Sequence, residues 1–161
     1  MQEEIFQHES FMRAALKEAE KAKIEKEVPV GAVVTYEGKI ISTGRNRREI
    51  LKNSVFHAEV EAIYRACKKL GRWRLSECSL YVTLEPCPMC AGAIINSRIS
   101  NLIYGANDPK AGSCESVINL FDLPYNHKPQ VISGVLKEEC SEILSSFFRE
   151  LRKQKSKVNS N

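Results

Sequence analysis

Over residues 8–26 the apolar positions Phe11, Met12, Ala15, Leu16, Ala19 and Ala22 recur three and four apart among lysines and glutamates. That period predicts an amphipathic helix. Residues 28–34 form an apolar run short enough for a buried strand, Glu37-Gly38 reads as a turn, and residues 39–45 read as the hairpin partner. Residues 46–53 are polar and basic, which predicts a loop. The helical period returns at His57, with Val60, Ile63, Cys67 and Leu70 on one face and Gly71 as the stop. Residues 79–84 predict a strand. Pro86 and Pro88 mark the start of a third helix ending near Ser97, because proline suits the first turn of a helix. Beyond it the pattern predicts a strand at 101–106, a turn-rich loop at 107–112 and a short helix at 115–121. A short strand at 130–133 and a long last helix at 136–152 complete the series.

Helices therefore alternate with strands, which defines the class as α/β, with helices on both faces of one sheet in three α/β/α layers. The five strands predict a mixed sheet, since the first pair is a hairpin and the later ones are joined by helices. A length of 161 residues fits one domain, expected over 1–152, with 153–161 expected to be a basic, disordered tail. No apolar run reaches the roughly 20 residues of a membrane helix. The start Met1-Gln2-Glu3-Glu4 lacks the basic and then apolar character of a secretory signal, so a cytoplasmic protein without membrane partners is expected. The formal net charge is +4, and its location matters more than its size. From Arg149 onward five cations face the single acid Glu150, so the rest of the chain is neutral.

Six cysteines in such a chain point to metal binding or buried thiols rather than disulfides. Only Cys87 and Cys90 are close together, within Pro86-Cys87-Pro88-Met89-Cys90. Three apart, they share one face of a first helical turn and can grip one ion. The free amides and positive dipole of that helix start favour thiolates. A lone CxxC is weak evidence for a metal, and a lone histidine at a helix start is usually a cap or core residue. Here His57-Ala58-Glu59 opens the preceding helix, and HxE followed by PCxxC on successive helix starts is far more specific. His57, Cys87 and Cys90 make three protein ligands, whereas a closed structural zinc site takes four. The fourth position is then open to water, whose pKa zinc lowers from about 15.7 toward 7. Glu59 can face the same cavity without binding the metal and act on the protons.

The two motifs resemble the signature of the zinc-dependent nucleobase deaminases. The likeness extends over nearly the whole chain, from about Phe11 to Arg152. Glu27-Val28-Pro29-Val30-Gly31-Ala32-Val33, Tyr81-Val82-Thr83-Leu84-Glu85-Pro86-Cys87, Asp108-Pro109-Lys110 and Phe147-Phe148-Arg149 look like the bacterial tRNA-specific adenosine deaminases. The resemblance implies a cytidine-deaminase-like fold, one Zn2+ per chain, a homodimer, and hydrolysis of adenosine to inosine at the wobble position of a tRNA anticodon stem-loop. It assigns the metal to His57, Cys87 and Cys90 and the proton transfers to Glu59. It also implies that Asn46 hydrogen-bonds the flipped base, that Asp108 lies beside the anticodon backbone, and that Phe148 and Arg149 line the RNA channel. After Lys110 the chain departs from the pattern, reading Ala111-Gly112-Ser113-Cys114-Glu115-Ser116.

Two other functions are open to the same motifs. A deaminase of a free nucleobase or small heterocycle (guanine, cytosine, a pyrimidine precursor) would share the chemistry and differ in its pocket. The basic C-terminal stretch opposes it, although Lys and Arg also suit the end of any helix. A zinc-binding RNA module without catalysis would need neither an open coordination position nor Glu59. Arg45, Arg47, Arg48 and Lys52 flank Asn46, as ordinary loop charge or as phosphate contacts at the pocket mouth.

Overall fold

The computed structural model describes residues 1–160. Ten short elements run in the order α1 (Gln2–Ile24), β1 (Gly31–Tyr36), β2 (Lys39–Arg45), α2 (Ala58–Leu70), β3 (Cys78–Leu84), α3 (Pro88–Ser97), β4 (Asn101–Ala106), a 3-10 turn at Leu120–Asp122, β5 (Gln130–Ile132) and α4 (Lys137–Val158). The five strands form one sheet in the order β2-β1-β3-β4-β5. β1 is antiparallel to both β2 and β3, whereas β3, β4 and β5 are parallel. The mixed α/β sheet expected from the hairpin and the helical crossovers is thus the one observed.

Side chains alternate across the pleat and build two cores. Ala32, Val34, Leu80, Val82, Leu102 and Tyr104 face α2 and α3. Val33, Tyr81 and Ile103, one residue out of phase, face Met12 and Ala15 of α1 and Cys140 of α4. The three-layer arrangement follows from this alternation. Because β2 and β3 both run antiparallel to β1, and α2 follows β2 through a loop while α3 follows β3, both helices begin at the same end of the strands.

Gly44 governs how closely α2 can approach. A Cβ there would lie 2.2 Å from the Ala58 carbonyl oxygen and 2.7 Å from the Ala62 nitrogen, both helix backbone. The first turn of α2 therefore seats directly on β2. Gly44→Ala is expected to lift that turn and cost about 3 kcal/mol, as overpacking against backbone does. A drop in Tm of roughly 6–12 °C should accompany it in calorimetry. A Tm within a degree of wild type would show that the contact yields freely.

Four boundaries differ from the pattern-based reading. α1 starts at Gln2 rather than near residue 8. β1 starts at Gly31, and Val28 to Val30 instead make a tight turn in which the Val30 N–H donates to the Val28 carbonyl. Pro29 has no N–H to give a sheet. Residues 115–121 are not a helix beyond the 3-10 turn at Leu120–Asp122, because Cys114 pairs with Asn119 and the Leu120 N–H goes to the Ser113 carbonyl. α4 continues past Arg152 to Val158, so most of the segment expected to be a disordered tail is helical.

Candidate active site

α2 and α3 begin side by side, and each begins with a residue of the expected metal trio. His57 is the N-cap of α2, extended at φ −83 and ψ 160, and Cys87 is the N-cap of α3, extended at φ −73 and ψ 175. Neither uses its side chain as a cap, so both side chains are free for another partner. Pro88 at the first position of α3 loses no hydrogen bond there. One turn on, Cys90 points back to the same place. His57 Nδ1 lies 3.6 Å from both Cys87 Sγ and Cys90 Sγ. All three donor atoms fall within 4.8 Å of one another.

The electrostatics of the trio are those of a ligand set. The Cys87 thiol is held down at about 4, first by a hydrogen bond from the Cys90 thiol and, against the cost of burial, by His57. Cys90, buried behind it, is correspondingly pushed up by the same bond and by burial. His57 is raised by its contact with Cys87. Two thiols and an imidazole thus compete for protons at one point, which a cation would displace. Zinc bonds of about 2.0–2.1 Å to nitrogen and about 2.3 Å to sulfur give a tetrahedral N···S edge of about 3.6 Å. The donors present therefore fit zinc in both chemistry and spacing.

Beside the trio is a cavity of about 230 Å³. It is smaller than the roughly 300–1,000 Å³ of sites that take drug-sized ligands, so it suits one small flat group. Glu59, the second residue of α2, lines it at 4% exposure. Burial raises the Glu59 carboxyl above the usual range, opposed by its contacts with the helix backbone and Cys90. Asn46 lines it too. Its Nδ2 donates to the Val28 carbonyl at 3.2 Å and its Oδ1 accepts from the Arg48 N–H at 3.2 Å. A carboxamide has two donor hydrogens and two acceptor sites, so one of each remains for a ligand. Asp108 completes the rim, its Oδ1 accepting the Lys110 and Ala111 N–H groups at 3.0 and 3.3 Å.

The cavity thus brings together His57, Glu59, Cys87, Asn46 and Asp108, with Cys90 behind Cys87. Phe148 and Arg149 do not line it. They sit on α4 with Lys110, Ser145 and Arg152 around a separate open groove, and Arg149 pairs with Glu142 at 2.7 Å. Lys110 belongs to the same loop as Asp108 and links the groove to the cavity rim. Of the four cations around Asn46, Arg45 is paired with Glu25 and Glu18, and Arg47 with Glu61. Arg48 alone of the four reaches the cavity. Sequence reasoning passed over Val28, Val30, Leu84 and Glu85, which also line it. Val28 and Val30 carried a signal, an apolar pair around a proline, but it reads as a strand.

Known proteins resemble this chain in sequence and fold. A profile of the MafB19-like deaminases matches residues 6–152. A tRNA-specific adenosine deaminase of Bacillus subtilis (strain 168) is 51% identical over 156 residues, covering 96% of this chain and 97% of its own. The chain belongs to the tRNA-specific adenosine deaminase family. A solved structure from a study of A-to-I editing by tRNA:A34 deaminases superposes with a TM-score of 0.82 at 47% identity, over 84% of this chain and 99% of that one. A guanine deaminase from Nitrosomonas europaea superposes with a TM-score of 0.71 at 25% identity, over 86% and 83%. One scaffold therefore serves tRNA adenosine deaminases and a free-base deaminase, so substrate choice lies in the pocket and its surroundings.

Proposed function

We propose that this protein deaminates adenosine to inosine at the wobble position of a tRNA anticodon, as a zinc-dependent hydrolase acting in the cytoplasm. The observation that carries the reading is the convergence of His57 Nδ1, Cys87 Sγ and Cys90 Sγ beside a buried glutamate in a base-sized cavity. His57, Cys87 and Cys90 would hold one Zn2+, which would supply the Lewis acid that makes a water nucleophilic at neutral pH.

The rest of the chemistry belongs to the side chains. An adenine stacked in a duplex cannot enter so small a cavity, so the base comes from a loop or is flipped out. Asn46 binds its edge with the donor and acceptor left free by Val28 and Arg48. Glu59 takes a proton from the attacking water and gives it to N1 of adenine. The new C–O bond forms at C6. Glu59 then carries the second proton to the C6 amine, the C–N bond breaks, and ammonia leaves. One water is consumed, and inosine and ammonia are produced. Asp108 stands at the rim, where the backbone of the flipped nucleotide enters.

The basic groove on α4 favours an RNA substrate over a free base. Phe148 offers an exposed ring, and Arg149, Arg152 and Lys110 offer charge. A free base would need none of these. The deaminase unit is residues 1–152, and the homodimer of the family is part of the same reading. The test changes charge and keeps the helix: Arg149, Arg152 and Lys153 together to Gln. These lie within α4, and Gln matches Lys and Arg in helix propensity. Weaker tRNA binding with a shallower salt slope is expected, by about 0.7–0.9 per lost phosphate contact. Turnover of a saturating anticodon stem-loop should fall less. Unchanged affinity and salt slope would reduce the groove to a solvated helix face, and guanine and cytosine would then be the substrates to assay.

A further inference from the structure

We propose that Glu85 is the positioning residue of the substrate pocket: its buried carboxylate is the template around which residues 107–116 fold, and it thereby fixes the wall formed by Asp108 and Ala111. The proposal rests on the tRNA deaminase reading for what the wall contacts.

Glu85 directly follows β3, two residues before Cys87, at 2% exposure. Oε1 accepts Asn107 Nδ2 at 3.2 Å, the Asp108 N–H at 3.1 Å and the Ser116 hydroxyl. Oε2 accepts the N–H groups of Cys114, Glu115 and Ser116 at 3.2, 2.9 and 2.9 Å. Six donors converge on a group with about four lone-pair sites. Among the described residues no cation pairs with it, so the segment's own backbone neutralises it. A carboxylate so saturated has nothing left for proton transfer. It lines the cavity as a frame and not as a catalyst.

The segment depends on this carboxylate in turn. Its ladder contact within the described residues is a single bridge, Cys114 to Asn119. Glu85 supplies partners for three consecutive N–H groups, and that of Cys114 is buried, where a partner is obligatory. The chain also passes too close to the carboxylate for a side chain at Gly112, where a Cβ would lie 2.3 Å from Glu85 Cδ. Glu115 faces away from the cavity, accepting from the Tyr104 hydroxyl at 2.6 Å and Asn107 Nδ2 at 3.1 Å. These bonds tie the far side of the wrap to β4. The departure from the family pattern after Lys110 is therefore the part of the chain folded around Glu85. What this loop presents outward is Asp108 and Ala111 to the cavity and Lys110 to the α4 groove.

Glu85→Gln keeps the shape but turns an NH2 group toward other donors. Charge-assisted bonds of this kind are lost with about a 10–100-fold effect. Amide hydrogen exchange at Cys114, Glu115 and Ser116 should quicken by at least about 10-fold in zinc-loaded protein. KM for an anticodon stem-loop should rise by a similar factor, with kcat falling by less than about 3-fold and zinc content unchanged. Ser116→Ala removes one donor and spares the charge, so it should move exchange and KM in the same direction by a smaller factor. Unchanged exchange at these amides in either variant overturns the proposal. So does a Glu85→Gln protein that loses zinc, or one that loses kcat with KM unaltered, because Glu85 would then serve the metal site. If the wild type failed to deaminate the stem-loop, the function would be wrong, and the exchange rates would still decide the role of Glu85.

Discussion

Glu59→Ala protein is expected to keep its zinc and its fold and to lose turnover by at least about 10²–10⁴-fold, the range for a general acid–base group. The expectation comes from where the side chain sits. Glu59 shares the cavity with His57 and Cys87, yet the three donors that converge to metal distance are His57, Cys87 and Cys90. Removing Glu59 therefore removes no ligand. No cation is paired with it among the described residues, so its loss strands no partner charge. Burial raises its carboxyl, which brings it toward the pH at which one group both takes and gives a proton. Deamination asks for two transfers, from water to N1 and then to the departing amine. A single group serving both explains why the loss can exceed the usual range. Single-turnover inosine formation at saturating RNA, with zinc measured by elemental analysis, gives the answer. Activity within about threefold of wild type lies far inside the smallest general acid–base effect, and would assign the protons to another group.

The metal motif was legible because its information is local. His57 and Cys87 are helix starts set by short-range signals, and the three-residue step to Cys90 is fixed by helix geometry. The strands and their faces were legible for the same reason, since alternation decides them. What stayed hidden is set by contacts distant in sequence. Residues 115–121 read as a short helix in isolation, but Glu85, some thirty positions earlier, anchors the segment's start, the Leu120 N–H goes to the Ser113 carbonyl, and Cys114 pairs with Asn119, which leaves no i to i−4 ladder. Val28 and Val30 are apolar because they wall a cavity, and a strand would show the same pattern. α1 was expected too short because its first turns expose Ile5 and Phe6 and so lack a buried stripe. α4 was expected too short because residues 153–158 carry no apolar period. They are lysine-rich, which suits a helix C-terminus. The basic cluster around Asn46 looked like one patch, yet buried acids on α1 and α2 claim half of it.

Cys87→Ala and Cys90→Ala should each lower zinc affinity by well over about 100-fold. Loss of a mere supporting contact to a ligand already costs about 10–100-fold, and here a ligand itself disappears. Three protein donors would hold the ion, so either change leaves two, too few for a stable tetrahedral site at ordinary zinc levels. The two variants should differ in stability without zinc. Cys87 is the half-buried N-cap residue of α3, and its thiol is the one of the pair that is held down. Its removal leaves a surface-accessible gap. Cys90 is fully buried behind it, so Cys90→Ala also leaves a small internal void, which adds a modest packing loss. In both variants the extra Tm that wild type gains from added zinc should vanish, because an ion that binds only the native state stabilises it by mass action. Purified wild type should carry about one zinc ion per chain and the double variant almost none. Full zinc occupancy in the double variant, measured by elemental analysis, would remove the metal from this site and the proposed chemistry with it.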